Sequence, residues 1–178
     1  MPLKHRMKIA AATTLAAAAL AAPSSALAAG CADADQNPND ISTAQAQRAT
    51  LCLVNAERRQ RGMRPFKADR RLTKASQRYA LVMSRRNIFD HGDFVGRIKA
   101  ARYLKGARGY TIGENIAWGS YDYATPANIV DSWMHSPGHR ANILNSRFRE
   151  IGLGVARGAP VAGRDRAGTY VTDFGAIF

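Results

Sequence analysis

Glu150–Ala156, EIGLGVA, and Gly168–Phe178, GTYVTDFGAIF, are the two stretches whose reading decides the fold. Each is short, each alternates or clusters apolar residues, and a glycine-rich connection joins them. That pattern predicts an antiparallel β-hairpin at the C-terminal end. The patterned sequence upstream is mostly helical in period. Helices first and strands last predict an α+β domain with helices packed on a small antiparallel sheet.

Working back from the hairpin, Thr125-Pro126 is a hydroxyl cap followed by a first-turn proline, and Ile129, Val130, Trp133 and Met134 form the buried face of the helix it starts. Pro137 disfavours helical geometry at Ser136, so that helix is expected to end near His135 or Ser136, with His139 beginning a new element. TIGENIAWGS (Thr111–Ser120) is too short for a helix and suits a strand or an ordered loop. A short helix is expected from about Phe94 to Leu104, carried by Ile98 and Ala101. Asp69 is placed to cap a longer one with Leu72, Ala75, Tyr79, Val82 and Met83 inward, ending near Asn87. The first helix starts from Ser42, carries Leu51, Val54 and Ala56, and finds a left-handed stop at Gly62.

Ahead of these elements, Lys4, Arg6 and Lys8 precede an uncharged apolar run that ends in Ala26-Leu27-Ala28. This is the pattern of a secretory signal peptide over residues 1–28, cleaved after Ala28. The run is short for a membrane span, so no transmembrane segment is expected. Residues 29–41 read as a polar, extended N-terminal arm, and residues 42–178 as one domain with one core, for which 46% hydrophobic residues suffice. No internal repeat shows, and a monomer is expected. The formal charge of +13 falls to +10 without the three signal-peptide cations. The basic residues are scattered, with no aromatic-interleaved basic motif, which argues against a nucleic-acid partner and for a basic surface drawn to anionic wall polymer or lipid headgroups. The two cysteines, Cys31 and Cys52, have two readings. One is a disulfide worth about 3 kcal/mol in the chain-entropy model; the other is lipidation of Cys31 in LAAGC, which would leave Cys52 a free thiol.

Imidazole and glutamate are scarce after residue 28: His91, His135, His139, and Glu57, Glu114, Glu150. His91 lies in a loop between Asp90 and Asp93, where a carboxylate could hold one ring nitrogen and leave the other for a metal or a proton. Glu114 stands inside the apolar GENIAWG, where an unpaired carboxylate would be costly. His135 and His139 have the four-residue spacing of a helical metal pair, but Pro137 and Gly138 break that helix, so they are not expected to share a face. No G-x-S-x-G elbow, H-E-x-x-H, phosphate loop or C-x-x-C is present. A triad of Ser136, His139 and Asp131 or Glu114 can be assembled only on paper.

LCLVNAERRQRGMRPF, FDH at Phe89–His91, GENIAWG, IVDSWMHSPGHRANIL, EIGLGVA and YVTDFG, in this order from about Leu51 to Gly175, resemble the CAP superfamily of cysteine-rich secretory proteins, venom antigens and pathogenesis-related proteins, in its bacterial secreted branch. The resemblance implies an α-β-α sandwich and a cavity where His91, Glu114 and His139 converge. The second glutamate usual on the helix bearing the tryptophan is missing here, and Asp131 could replace it only by pointing inward. Two histidines and Glu114 imply a divalent-metal set such as zinc with a water, or a hydrogen-bonded structural cluster. Three functions follow as expectations. The first is a secreted module whose His-Glu cavity binds a metal or small ligand at the cell envelope. The second is a hydrolase in which His139 or Glu114 activates water, and the third is a basic module adhering to anionic polymer or lipid.

Overall fold

The computed structural model describes residues 30–178. The expected signal peptide and its cleavage point lie outside the described residues. Ser42 caps helix α1 (Thr43–Gln60). Its Oγ accepts from the Gln45 backbone N–H at 3.2 Å while Gln45 Oε1 accepts from Ser42 N–H at 3.1 Å, a reciprocal box that satisfies two otherwise unpaired donors. Gly62, at φ 66°, turns the chain out past the helix end. Lys67–Ala68 forms a two-residue strand, β1, too short for any periodicity to announce it. Asp69 caps α2 (Arg70–Arg86), which ends on Asn87 in the left-handed region.

Helix α3 (Phe94–Ala100) stops short of the expected Leu104. Arg102 turns the chain at φ 68° and carries Tyr103 inward, where its hydroxyl donates to Glu150 Oε2 at 2.6 Å. TIGENIAWGS lies in strand β2 (Tyr110–Ser120), followed by a 3-10 turn (Tyr121–Ala124). Thr125 then caps α4 (Pro126–His135), and Ser136 leaves the helical region to start α5 (Pro137–Ile143). The expected hairpin is β3 (Glu150–Arg157) and β4 (Ala167–Ile177), paired antiparallel.

The sheet order is β1-β3-β4-β2. β1 runs parallel to β3, and β2 runs antiparallel to β4 along its whole length, so the sheet is mixed rather than purely antiparallel. On one face, Ile151, Leu153, Val155, Tyr170 and Phe174 bury against Leu53 and Val54 of α1 and Ile129 and Trp133 of α4. On the other, Ile116, Ala156 and Val171 meet Tyr79, Ala80 and Met83 of α2. Helices therefore cover both faces of the sheet, and α2 approaches very closely. A Cβ on Gly152 would stand 2.0 Å from the Leu72 carbonyl carbon, and one on Gly154 2.3 Å from that of Ser76. The glycines of EIGLGVA let the helix lie on the strand.

Residues 30–41 are a chain of turns rather than an extended arm. Cys31, Ala34 and Asn37 are buried, and Asn37 Nδ2 donates to the carbonyls of Tyr121 and Arg166 at 2.8 and 3.0 Å. Buried backbone must find partners, and tight turns supply them locally. Cys31 and Cys52 form a disulfide across 21 residues, with Cα atoms 5.7 Å apart. Among the described residues no helix is long and apolar enough to cross a membrane.

Candidate functional site

Strand β2 is an edge of the sheet, and α5 covers it. Asn142 Nδ2 donates to the Glu114 carbonyl at 3.2 Å and to Asn115 Oδ1 at 2.9 Å, while Asn115 Nδ2 donates to the His139 carbonyl at 3.0 Å. Unpaired edge groups are thereby satisfied, and His139 is held beside β2. From the other layer, the loop after α2 brings in His91, so the site forms where the two helical layers meet around one strand.

Glu114 lies at its centre with a side chain 1% exposed. Its Oε1 is 2.8 Å from His91 Nδ1, and its Oε2 accepts from Arg97 Nη2 at 2.5 Å. An accepting carboxylate calls for an N–H at Nδ1 and leaves Nε2 unengaged by the acid; the His91 side chain is half exposed. Arg97 is aimed by the His91 carbonyl, which accepts from Nη1 at 2.9 Å. Its guanidinium carbon sits 3.4 Å from the Tyr79 ring centroid, a cation–π contact. Tyr79 in turn reaches the Asp90 carbonyl at 2.7 Å and Asp90 Oδ1 at 3.0 Å, and burial followed by the hydrogen bond to the Asp90 side chain pushes its hydroxyl up to about 12.

A second acid stands next to Glu114. Asp173 is its direct partner across β2 and β4 and is fully buried. Asp173 Oδ2 accepts from Ser76 Oγ at 2.7 Å, and Oδ1 meets no hydrogen-bond partner among the described residues. Burial first, and the Glu114 charge second, push its carboxyl up to about 8. Two adjacent carboxyls in low dielectric hold one proton between them, so Asp173 is the protonated member at neutral pH. Burial, then the charge of His91, lower the His139 pKa. His139 is therefore neutral at pH 7, and it lies within electrostatic reach of His91.

The structure thus brings His91 and His139 to the Glu114 side of the sheet and leaves His135 out. His135 is exposed on α4 with Nδ1 3.3 Å from Asp131 Oδ2. That pairing places the Asp131 carboxylate beside His135, and Asp173 is the second acid of the site. The metal set expected from His91, His139 and Glu114 does not close. Both Glu114 oxygens are engaged, the Arg97 cation stands against one of them, and among the described residues no three His, Cys, Asp or Glu side chains gather as ligands. Sequence reasoning missed Arg97, which carries no motif. It also missed Asp173, although an acid inside the apolar YVTDFG is the same signal that singled out Glu114.

Residues 51–172 match the model of CAP, the cysteine-rich secretory protein family. The chain belongs to this family. Among curated relatives of this CAP domain, the uncharacterized protein YkwD of Bacillus subtilis strain 168 is 37% identical over 114 residues, which make up 61% of this chain and 42% of YkwD. The chain therefore spans less than half of that relative's length. Among solved structures, an outer surface protein of Borrelia burgdorferi superposes with a TM-score of 0.63 at 20% identity, covering 78% of this chain and 97% of that one. An extracellular SCP-domain protein of Bacillus anthracis gives 0.56 at 20% identity, covering 75% and 43%. At these identities the two structures establish the fold alone.

Proposed function

We propose that this CAP domain is an exported, non-catalytic binding module of the cell envelope, and that a small polar ligand binds against His91 and His139. One observation carries the reading: Glu114, locked between Arg97 and His91, holds His91 by Nδ1 and leaves its Nε2 unengaged, while His139 stays neutral nearby. The neutral His139 ring and the free Nε2 edge of His91 offer polar contacts to ligand hydroxyl or amide groups. No described nucleophile joins them: Ser76, the hydroxyl bound to Asp173, is fully buried. Export rests on the signal-peptide pattern and on the company of extracellular CAP proteins.

Native mass spectrometry of protein collected from culture medium tests this. The expected result is a chain starting at Ala29 with a small molecule attached, lost in His91→Ala and His139→Ala and kept in His135→Ala. A bare polypeptide, or a ligand retained in both the His91 and the His139 variant, overturns it. Turnover on a peptide, glycan or ester panel that disappears in Glu114→Gln would move the site to the hydrolase reading.

A further inference from the structure

A basic cleft lies away from the histidines. The turn after α1 and the segment between α5 and β3 run side by side. Between them is a cleft of about 330 Å³ lined by Arg58, Gly62, Met63, Arg64, Ser146 and Arg149. Three arginines and a hydroxyl line it, with no acid. A neighbouring cleft of about 430 Å³ shares Arg64 and Arg149 and adds Lys67 and Glu150; Glu150 accepts from the Tyr103 hydroxyl. None of the ion pairs among the described residues uses Arg58, Arg64, Lys67 or Arg149.

Arg58 is the unusual member, 1% exposed and without a carboxylate. Its Nε donates to the Arg64 carbonyl at 2.8 Å and its Nη1 to the carbonyls of Ile143 and Asn145 at 2.6 and 3.1 Å, with the guanidinium 3.7 Å over the Phe66 ring. Arg149 is aimed by the carbonyls of Ser146 and Phe148. Burial, then the Arg149 charge, lower the Arg58 pKa, so the two cations feel each other. Carbonyl dipoles, including those at the end of α5, offset part of this, yet a buried cation without a counter-charge remains costly.

The geometry points to an oxyanion site at Arg58, Arg64 and Arg149 that takes a phosphate group, free or as an ester along a linear polymer. Arg58, with Nε and Nη1 already given to carbonyls, contributes its positive charge from beneath the cleft, and the exposed Arg64 and Arg149 bring the remaining guanidinium N–H groups to the oxygens. A tetrahedral phosphate offers more oxygens to several such donors than a carboxylate, which has only two. The adjoining cleft with Lys67 extends the basic trough by the space of a second group.

The test is calorimetric titration of the mature chain with inorganic phosphate and with poly(glycerol phosphate) at fixed ionic strength. Arg64→Gln and Arg149→Gln, both at exposed positions, serve as probes, and the exposed Arg78→Gln is the control for net charge. Saturable binding is expected, weakened roughly tenfold or more by each probe, the loss of one charge-assisted hydrogen bond, and unchanged by the control. Polymer binding tighter per phosphate than the free ion assigns the trough to polymer, and equal affinity assigns it to free phosphate. No saturable heat, or a loss in Arg78→Gln equal to that in Arg149→Gln, overturns the site.

Discussion

Replacing Asp173 by Asn removes a carboxyl that the fold holds in its protonated form, and the consequence depends on pH. Asp173 titrates at about 8 in the folded protein against an ordinary 3.8. Between those values the folded protein keeps a proton that the unfolded chain has lost. Stability is therefore fully present below the unfolded value and falls as pH rises through the window, by about 1.4 kcal/mol per pH unit. From pH 5 to pH 8 this amounts to a loss on the order of 4 kcal/mol. Asparagine has no proton to lose. Its carbonyl still accepts from Ser76 Oγ, and its amide, like the protonated acid, carries no charge beside Glu114. Urea denaturation of residues 29–178, followed by tryptophan fluorescence at pH 5, 6.5 and 8, reads the effect. Wild type and Asp173→Asn should nearly coincide at pH 5, and the variant should be the more stable by a few kcal/mol at pH 8. The lowered His139 pKa acts with the opposite sign in this range, and the lowered Asp69 pKa acts near and below the usual carboxylate range; both cancel in the difference. Curves that stay parallel from pH 5 to pH 8 would refute the shared-proton account.

Arg97→Gln leaves Glu114 buried without its cation and should cost roughly 3–5 kcal/mol at neutral pH. The same change made in an Asp173→Asn background should cost measurably less if the three groups act as one cluster, and additive costs would separate them. Gly154→Ala drives a methyl to within 2.3 Å of the Ser76 backbone; overpacking of about 1–3 kcal/mol should lower Tm by several degrees, and an unchanged melt would show that α2 retreats freely. Reducing the Cys31–Cys52 disulfide should cost about 3 kcal/mol, read as a drop in the urea midpoint that Cys31→Ser reproduces. His135→Ala, at an exposed position paired only along its own helix face, should stay within about 0.5 kcal/mol of wild type by the same assay.

Much of the fold was legible because its signals are local. Ser42, Asp69, Asn87, Thr125 and Pro126 sit at helix ends for reasons contained in a few residues, and the Pro137-Gly138 break separates His135 from His139 in the chain as in space. Where the chain departs from its local pattern, a distant partner is responsible. The third helix ends early because Tyr103 reaches Glu150. β1 exists because Lys67–Ala68 pairs with Glu150–Ile151. The arm folds into turns because Asn37 ties Tyr121 to Arg166.

The candidate site divides in the same way. An acid in an apolar run and a histidine among aspartates were visible as costs that something must offset, so Glu114 and His91 stood out from composition and spacing. What offsets them could not be read. Arg97 reaches Glu114 from 17 residues away through a stacked tyrosine, and Asp173 stands beside it only because β2 and β4 pair in that register. By itself the sequence determined the helix ends, the hairpin and the list of unusual residues, all properties of neighbours in the chain. Only the tertiary structure decided which charges meet and which carboxyl keeps its proton, because burial and electrostatic coupling depend on distance in space.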